Sequence, residues 1–196
     1  DLVGYSGSAK SIATLAAAVS LAAGLPIWGE FRTVRRRVLY LCPDSGKRAA
    51  MGRIQRLAHG MGIGPEELRG QFSLVPHPRI KLTHPDAPAL YRAAIHGYDA
   101  CFLDALRGFL PGVDENDSRI RDYLDPLTEI SDAEKCSVVI NHHEGKGGAT
   151  IGGKGGRNAK PDDEAGRGST GIFESMGSVF RMMREVHAGE TPTFFQ

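Results

Sequence analysis

The sequence predicts an α/β fold with a mostly parallel central sheet flanked by helices. Two observations carry this. The runs Val38–Cys42 and Cys136–Ile140, and most of Tyr98–Leu103, are apolar throughout rather than alternating, as in strands buried on both faces. Segments of helical period lie between such runs, the arrangement of successive strand–helix units. The 196 residues suit one domain over 1–196.

In chain order, Asp1-Leu2-Val3 reads as the end of a strand. The sequence is therefore expected to be a fragment cut near the start of its domain, lacking part of the first strand. Gly4–Ser11 is rich in Gly and Ser, and Lys10–Ala23 follows as a helix apolar on nearly every face, hence buried. Gly24-Leu25-Pro26 stops it. After the strand Val38–Cys42, Lys47–Met61 has helical spacing, with Met51, Ile54 and Leu57 on one face. Phe72–Val75 is a short strand that Pro76 should end. A helix around Ala87–His96 leads to the strand Tyr98–Leu103, which stops at Asp104. Asp117–Lys135 is an amphipathic helix with Ile120, Leu124, Leu127 and Ile130 on one face, and Pro126 should kink or restart it. The strand Cys136–Ile140 runs into a Gly-rich, basic loop from Asn141, with 142–168 expected to be flexible. A short helix, a strand Ser178–Met183 and a hairpin in Val186–Gln196 complete the reading.

Composition narrows the function. Lys+Arg number 24 against Asp+Glu 23, so any nucleic-acid site must be a local patch rather than a globally basic surface. Cys42, Cys101 and Cys136 are far apart and form no CxxC pair, which indicates neither a zinc site nor a disulfide framework and fits a reducing cytoplasm. No apolar run reaches the roughly 18 residues of a membrane span, so no membrane partner is expected.

Gly4-Tyr5-Ser6-Gly7-Ser8-Ala9-Lys10-Ser11 follows a strand remnant and opens a helix, the context of a phosphate-binding loop. In such a loop, backbone N–H groups and the helix N-terminus cradle phosphates, a lysine neutralises the β/γ oxygens and a hydroxyl holds Mg²⁺. Ala9 stands where the motif expects Gly. The competing reading is a Gly/Ser turn that merely caps a helix. Asp104, at the end of its strand, suits a carboxylate that helps to hold Mg²⁺, although many strands end in Asp. Asp44, beyond Pro43, is either a carboxylate that polarises the attacking water or the N-cap of the next helix.

Asn141-His142-His143-Glu144 admits three readings. A metal pair would need a third ligand, and none is evident. A polar sensor of the γ-phosphate fits a strand end better, and a structural pair that bonds the loop is the third. The loop offers Lys146, Lys154, Arg157 and Lys160 with no acid across Gly145–Lys160, so it could order on a phosphate backbone or stay solvated. Arg167 is either an arginine finger toward a neighbouring subunit's nucleotide or an ordinary surface residue.

These pieces together resemble the RecA-like ATPases, and most of all the RepA-type hexameric replicative helicases of plasmids and phages. The resemblance is carried by GYSGSAKS, RRRVLYLCPDSGKRAAMGRIQRL, YDACFLDALRGFLPGVDENDSRIRDYLDPL, CSVVINHHEGKGG and GRGSTGIFESMGSVFRMMRE, in that order. It implies a RecA-like P-loop fold, with Gly4, Ser6, Gly7, Ser8, Ala9, Lys10 and Ser11 on ATP. Ser11 and Asp104 would be on Mg²⁺, and His142 would sense the γ-phosphate. It places the catalytic carboxylate, usually Glu, on Asp44. It also implies that the Gly/Lys loop faces single-stranded DNA in a hexameric ring, and that Arg167 acts across subunits. Ala9 and Asp44 are departures from the family pattern. They leave a second expectation standing, a nucleotide-binding assembly module with little or no hydrolysis. A small-molecule kinase would need an Arg-rich lid, and none is evident.

Overall fold

The computed structural model describes residues 2–4, 9–113, 118–143, 172, 175 and 177–181. Six strands, β1 Leu2–Gly4, β2 Val38–Cys42, β3 Phe72–Pro76, β4 Ala100–Asp104, β5 Ser137–His143 and β6 Phe180–Arg181, form one sheet in the order β3-β2-β4-β5-β1-β6. Every pairing between named strands is parallel. The helices are α1 Lys10–Ala23, α2 Lys47–Gly60, α3 Pro65–Leu68, α4 Ala87–Ile95 and α5 Arg121–Glu134. This is the α/β, RecA-like architecture expected from the uninterrupted apolar strands. β2 and β4 are buried at every residue.

Strand alternation divides the interior into two layers. Leu39, Leu41, Cys101, Leu103 and Ile140 pack with Tyr91 and Ile95 of α4 and with Leu124, Leu127 and Ile130 of α5. Val38, Tyr40, Cys42, Ala100 and Phe102 pack with Leu15, Ala18, Val19 and Ala22 of α1 and with Ile54 and Ala58 of α2. α1 ends where Gly24 turns left-handed at φ 76°, and its N–H closes onto the Leu21 and Ser20 carbonyls. A β-carbon at Gly24 would meet the Arg35 backbone at 3.0 Å, so glycine serves both the turn and the close approach.

Several expectations are corrected. α2 buries Ala50, Ile54 and Ala58; of the expected face, Ile54 is buried and Leu57 packs half-buried on the same core, but Met51 is 38% exposed. The small side chains of Ala50 and Ala58 turn inward on either side of Ile54, at i, i+4 and i+8. α5 runs unbroken through Pro126, after a separate 3₁₀ turn at Ser118–Ile120. The missing N–H frees the carbonyl of Asp122, an exposed residue that water can serve. β5 continues past Ile140 through Asn141, His142 and His143, residues assigned above to the loop, because β1 lies alongside with Leu2 opposite Asn141 and Gly4 opposite His143. β3 does end at Pro76, as expected, with the proline as the last residue of an edge strand. The expected hairpin at Val186–Gln196 lies outside the described residues. Among those described, no helix is long and apolar enough to cross a membrane.

Candidate nucleotide site

Parallel strands deliver their C-terminal ends to one edge of the sheet, and in open α/β folds ligands collect there. Here that edge holds Gly4, Cys42, Asp104 and Asn141, with the N-terminus of α1 above them. Ala9 caps α1 in the left-handed region, at φ 60° and ψ 19°. The position is thus one that favours glycine, and alanine occupies it at a cost of about 1–2 kcal/mol. The Ala9 carbonyl accepts from the N–H of both Ile12 and Ala13 at 3.0 Å. Lys10 follows, only 3% exposed.

Ser11 and Asp104, 93 residues apart, meet directly: the Ser11 hydroxyl donates to Asp104 Oδ1 at 2.9 Å. Two residues not assigned to the site from sequence complete the arrangement. Asn141 Nδ2 donates to the same Oδ1 at 2.5 Å and lies 3.4 Å from Ser11 Oγ. The Tyr40 hydroxyl donates to Asp104 Oδ2 at 2.5 Å. Asp104 is 6% exposed and Asn141 fully buried. Burial first, then the Asp104 charge and the hydrogen bond to it, push the Tyr40 phenol far above its ordinary pKa. Tyr40 therefore remains a donor at any physiological pH.

The neighbour of Asn141, His142, is also buried, but strand alternation turns it with Val138 and Ile140 toward the α4/α5 layer. Of the strand-end pair, it is Asn141 that touches Ser11 and Asp104. Its position opposite Asp104 in the β4–β5 register is the reason. Register over a separation of 37 residues is what the sequence alone does not show.

Asp44 is exposed, and it does not cap α2. Gly46 occupies the N-cap, with no side-chain cap bond. The loop carrying Asp44 is held from three sides. His77 Nδ1 donates to the Pro43 carbonyl at 2.8 Å. Arg53 Nη1 donates to Ser45 Oγ at 2.9 Å. Gly108, four residues beyond Asp104, lies so close that a β-carbon there would sit 2.3 Å from Pro43 Cγ and 3.1 Å from Asp44 Oδ1. Gly108 is itself fixed by Lys81, whose Nζ donates to its carbonyl at 2.7 Å. The 3₁₀ turn after β4, Leu106–Phe109, thereby couples the Asp104 strand to the Asp44 loop.

The donor set at Ser11 and Asp104 consists of a hydroxyl and a carboxylate, and the buried Asn141 amide oxygen nearby has no hydrogen-bond partner among the described residues. Oxygen donors of this kind fit a hard cation such as Mg²⁺. Ser6, Gly7, Ser8, Lys146, Lys154, Arg157, Lys160 and Arg167 lie outside the described residues, as does the side chain of Gly4's register partner, His143. The family described as AAA domain matches residues 2–149 of the chain. No curated protein matches it.

Proposed function

The chain belongs to the AAA-domain family and is a nucleotide-binding ATPase module; from that premise we propose that it is the RecA-like motor core of a DNA helicase, or of a related replication or recombination ATPase. The observation that carries the ATPase part is the 2.9 Å bond between Ser11, at the start of α1, and Asp104, at the end of β4. It joins the hydroxyl and carboxylate of a phosphate-and-metal site from opposite halves of the sequence.

Lys10, with the N-terminus of α1, binds the triphosphate. Ser11 Oγ and Asp104 hold Mg²⁺, which when bound neutralises developing charge on the phosphate oxygens. Asp44 orients the attacking water and accepts its proton. Asn141 fixes Ser11 and Asp104 from below. His142 and Arg167 remain proposed as γ-phosphate sensor and as a finger from a neighbouring subunit. Lys146, Lys154, Arg157 and Lys160, acid-free among glycines, support single-stranded DNA as partner, and the hexameric ring is proposed on the resemblance to the replicative helicases. The cytoplasm is the compartment that fits its three free thiols.

A second reading, an assembly module that binds ATP and hardly hydrolyses it, has two observations in its favour. Ala9 holds a left-handed conformation that suits glycine, and the Asp44 carboxylate is one methylene shorter than the family's glutamate. ATP turnover of the full chain with Mg²⁺, with and without single-stranded DNA, decides between them. The motor reading expects turnover that DNA stimulates and Lys10→Ala abolishes. Tight ATP binding without turnover in either condition overturns it in favour of the assembly module.

A further inference from the structure

Tyr40 stands in a strand whose other members, Val38, Leu39, Leu41 and Cys42, are all apolar and buried. Its ring stacks between Phe72, with centroids 6.2 Å apart, and Phe102, 5.9 Å apart. Phenylalanine would serve that stack equally well. The hydroxyl, by contrast, is a polar group taken out of water, which costs free energy unless it finds a partner. Its partner is Asp104 Oδ2. The other carboxylate oxygen, Oδ1, takes Ser11 and Asn141. The two oxygens of one carboxylate are thus divided: Oδ1 faces the helix N-terminus, and Oδ2 is held from the β2 side by a ring that two aromatic neighbours keep in place.

We infer that Tyr40 is a positioning residue for the metal site: its hydroxyl fixes the rotation of the Asp104 carboxylate so that Oδ1 stays against Ser11, and thereby sets the affinity for the divalent cation. The inference rests on the reading of Ser11 and Asp104 as the metal pair. It extends that pair to a side chain 64 residues from Asp104, which acts through the carboxylate. Without the hydroxyl, Oδ2 is left buried and unpaired, and the carboxylate turns to relieve it. The orientation toward Ser11 is lost even though both residues of the pair are intact.

The test uses Tyr40→Phe, which keeps both ring contacts and hence the fold. Mn²⁺ serves as a paramagnetic stand-in for Mg²⁺, and its free signal is titrated by electron paramagnetic resonance against the ADP complex of the full chain. ADP affinity in EDTA is measured in parallel. Mn²⁺ affinity is expected to fall about tenfold to a hundredfold, the scale of a hydrogen bond to a charged group, with ADP affinity in EDTA unchanged within about twofold. Acting through Asp104, the substitution should add nothing to Asp104→Asn in the double variant. Wild-type Mn²⁺ affinity in Tyr40→Phe overturns the inference. So do losses that add in the double variant, since these assign Tyr40 a separate, merely structural effect. Unchanged Mn²⁺ affinity in Asp104→Asn itself fails at the earlier step and removes the metal pair on which the inference rests.

Discussion

The layer beneath α4 and α5 is closed by Leu103, Leu106, Phe109, Leu110, Ile120 and Leu124, none with any solvent exposure, whereas the layer beneath α1 and α2 buries Lys10, Thr14, Ser20, Asp104 and Asn141 beside small side chains such as Ala18 and Ala22. The hydroxyls of Thr14 and Ser20 and the amide oxygen of Asn141 have no hydrogen-bond partner among the described residues. Large apolar side chains stabilise by about 1.5–3 kcal/mol each when fully buried, while an unpaired buried polar group costs about 1–3 kcal/mol. The same sheet therefore has a side that supplies stability and a side that spends part of it on a site. The difference teaches where to expect chemistry in a fold whose strands look alike in sequence.

The largest effect should come from the apolar side. Leu124→Ala removes a fully buried side chain from α5 and is expected to cost about 3 kcal/mol, measured by urea unfolding. Nucleotide affinity of the folded protein should stay within about twofold. Were affinity to fall as steeply as stability, the two layers would not be separable and the comparison would break.

A smaller effect is expected where the layers meet. Gly108 belongs to the turn between Leu106 and Phe109, two residues of the apolar layer, yet it presses on Pro43 beneath Asp44. Gly108→Ala puts a methyl where only 2.3 Å separates it from the Pro43 ring, so the loop must yield. Overpacking of this kind costs about 1–3 kcal/mol. The displacement should appear as ATP turnover lowered about tenfold, with affinity for ATP nearly unchanged, because Asp44 moves while Lys10 and Ser11 do not. Unaltered turnover in a destabilised Gly108→Ala would detach Asp44 from the reaction.

Sequence made the apolar layer and the general plan legible because both rest on composition over short windows. β2, β4 and α1 stand out as runs, and the helical period of α5 marks its buried face. It found Ile54 and Leu57 on the inward side of α2 but put Met51 with them, because Ala50 and Ala58, which turn inward, carry too little hydrophobicity to stand out. Within the site, Lys10, Ser11 and Asp104 could be found, since each sits at a recognisable junction of strand and helix. Asn141 and Tyr40 could not. Asn141 differs from His142 only in which side of β5 it faces, a matter of register with β4. Tyr40 looks like one more core aromatic until its hydroxyl is seen against Asp104.

Ala9 sharpens the comparison from the other direction, since it is a strained residue on the side that carries the chemistry. At φ 60° its β-carbon costs about 1–2 kcal/mol, and glycine at the same place would relieve this while losing about 0.4–1 kcal/mol to the greater freedom of the unfolded chain. The balance favours Ala9→Gly by about 0.5–1 kcal/mol, which for a chain of this size raises Tm by about 1–4 °C. The gain should persist without nucleotide, because the strain lies in the backbone itself. A rise in ATP affinity of the same free energy, about two- to fivefold, would mean that the strain is felt chiefly in the bound state. A fall in Tm would mean that the Ala9 methyl packs against its surroundings strongly enough to outweigh its dihedral angle. The polar layer would then be stabilised at a point where its backbone departs from what the side chain prefers.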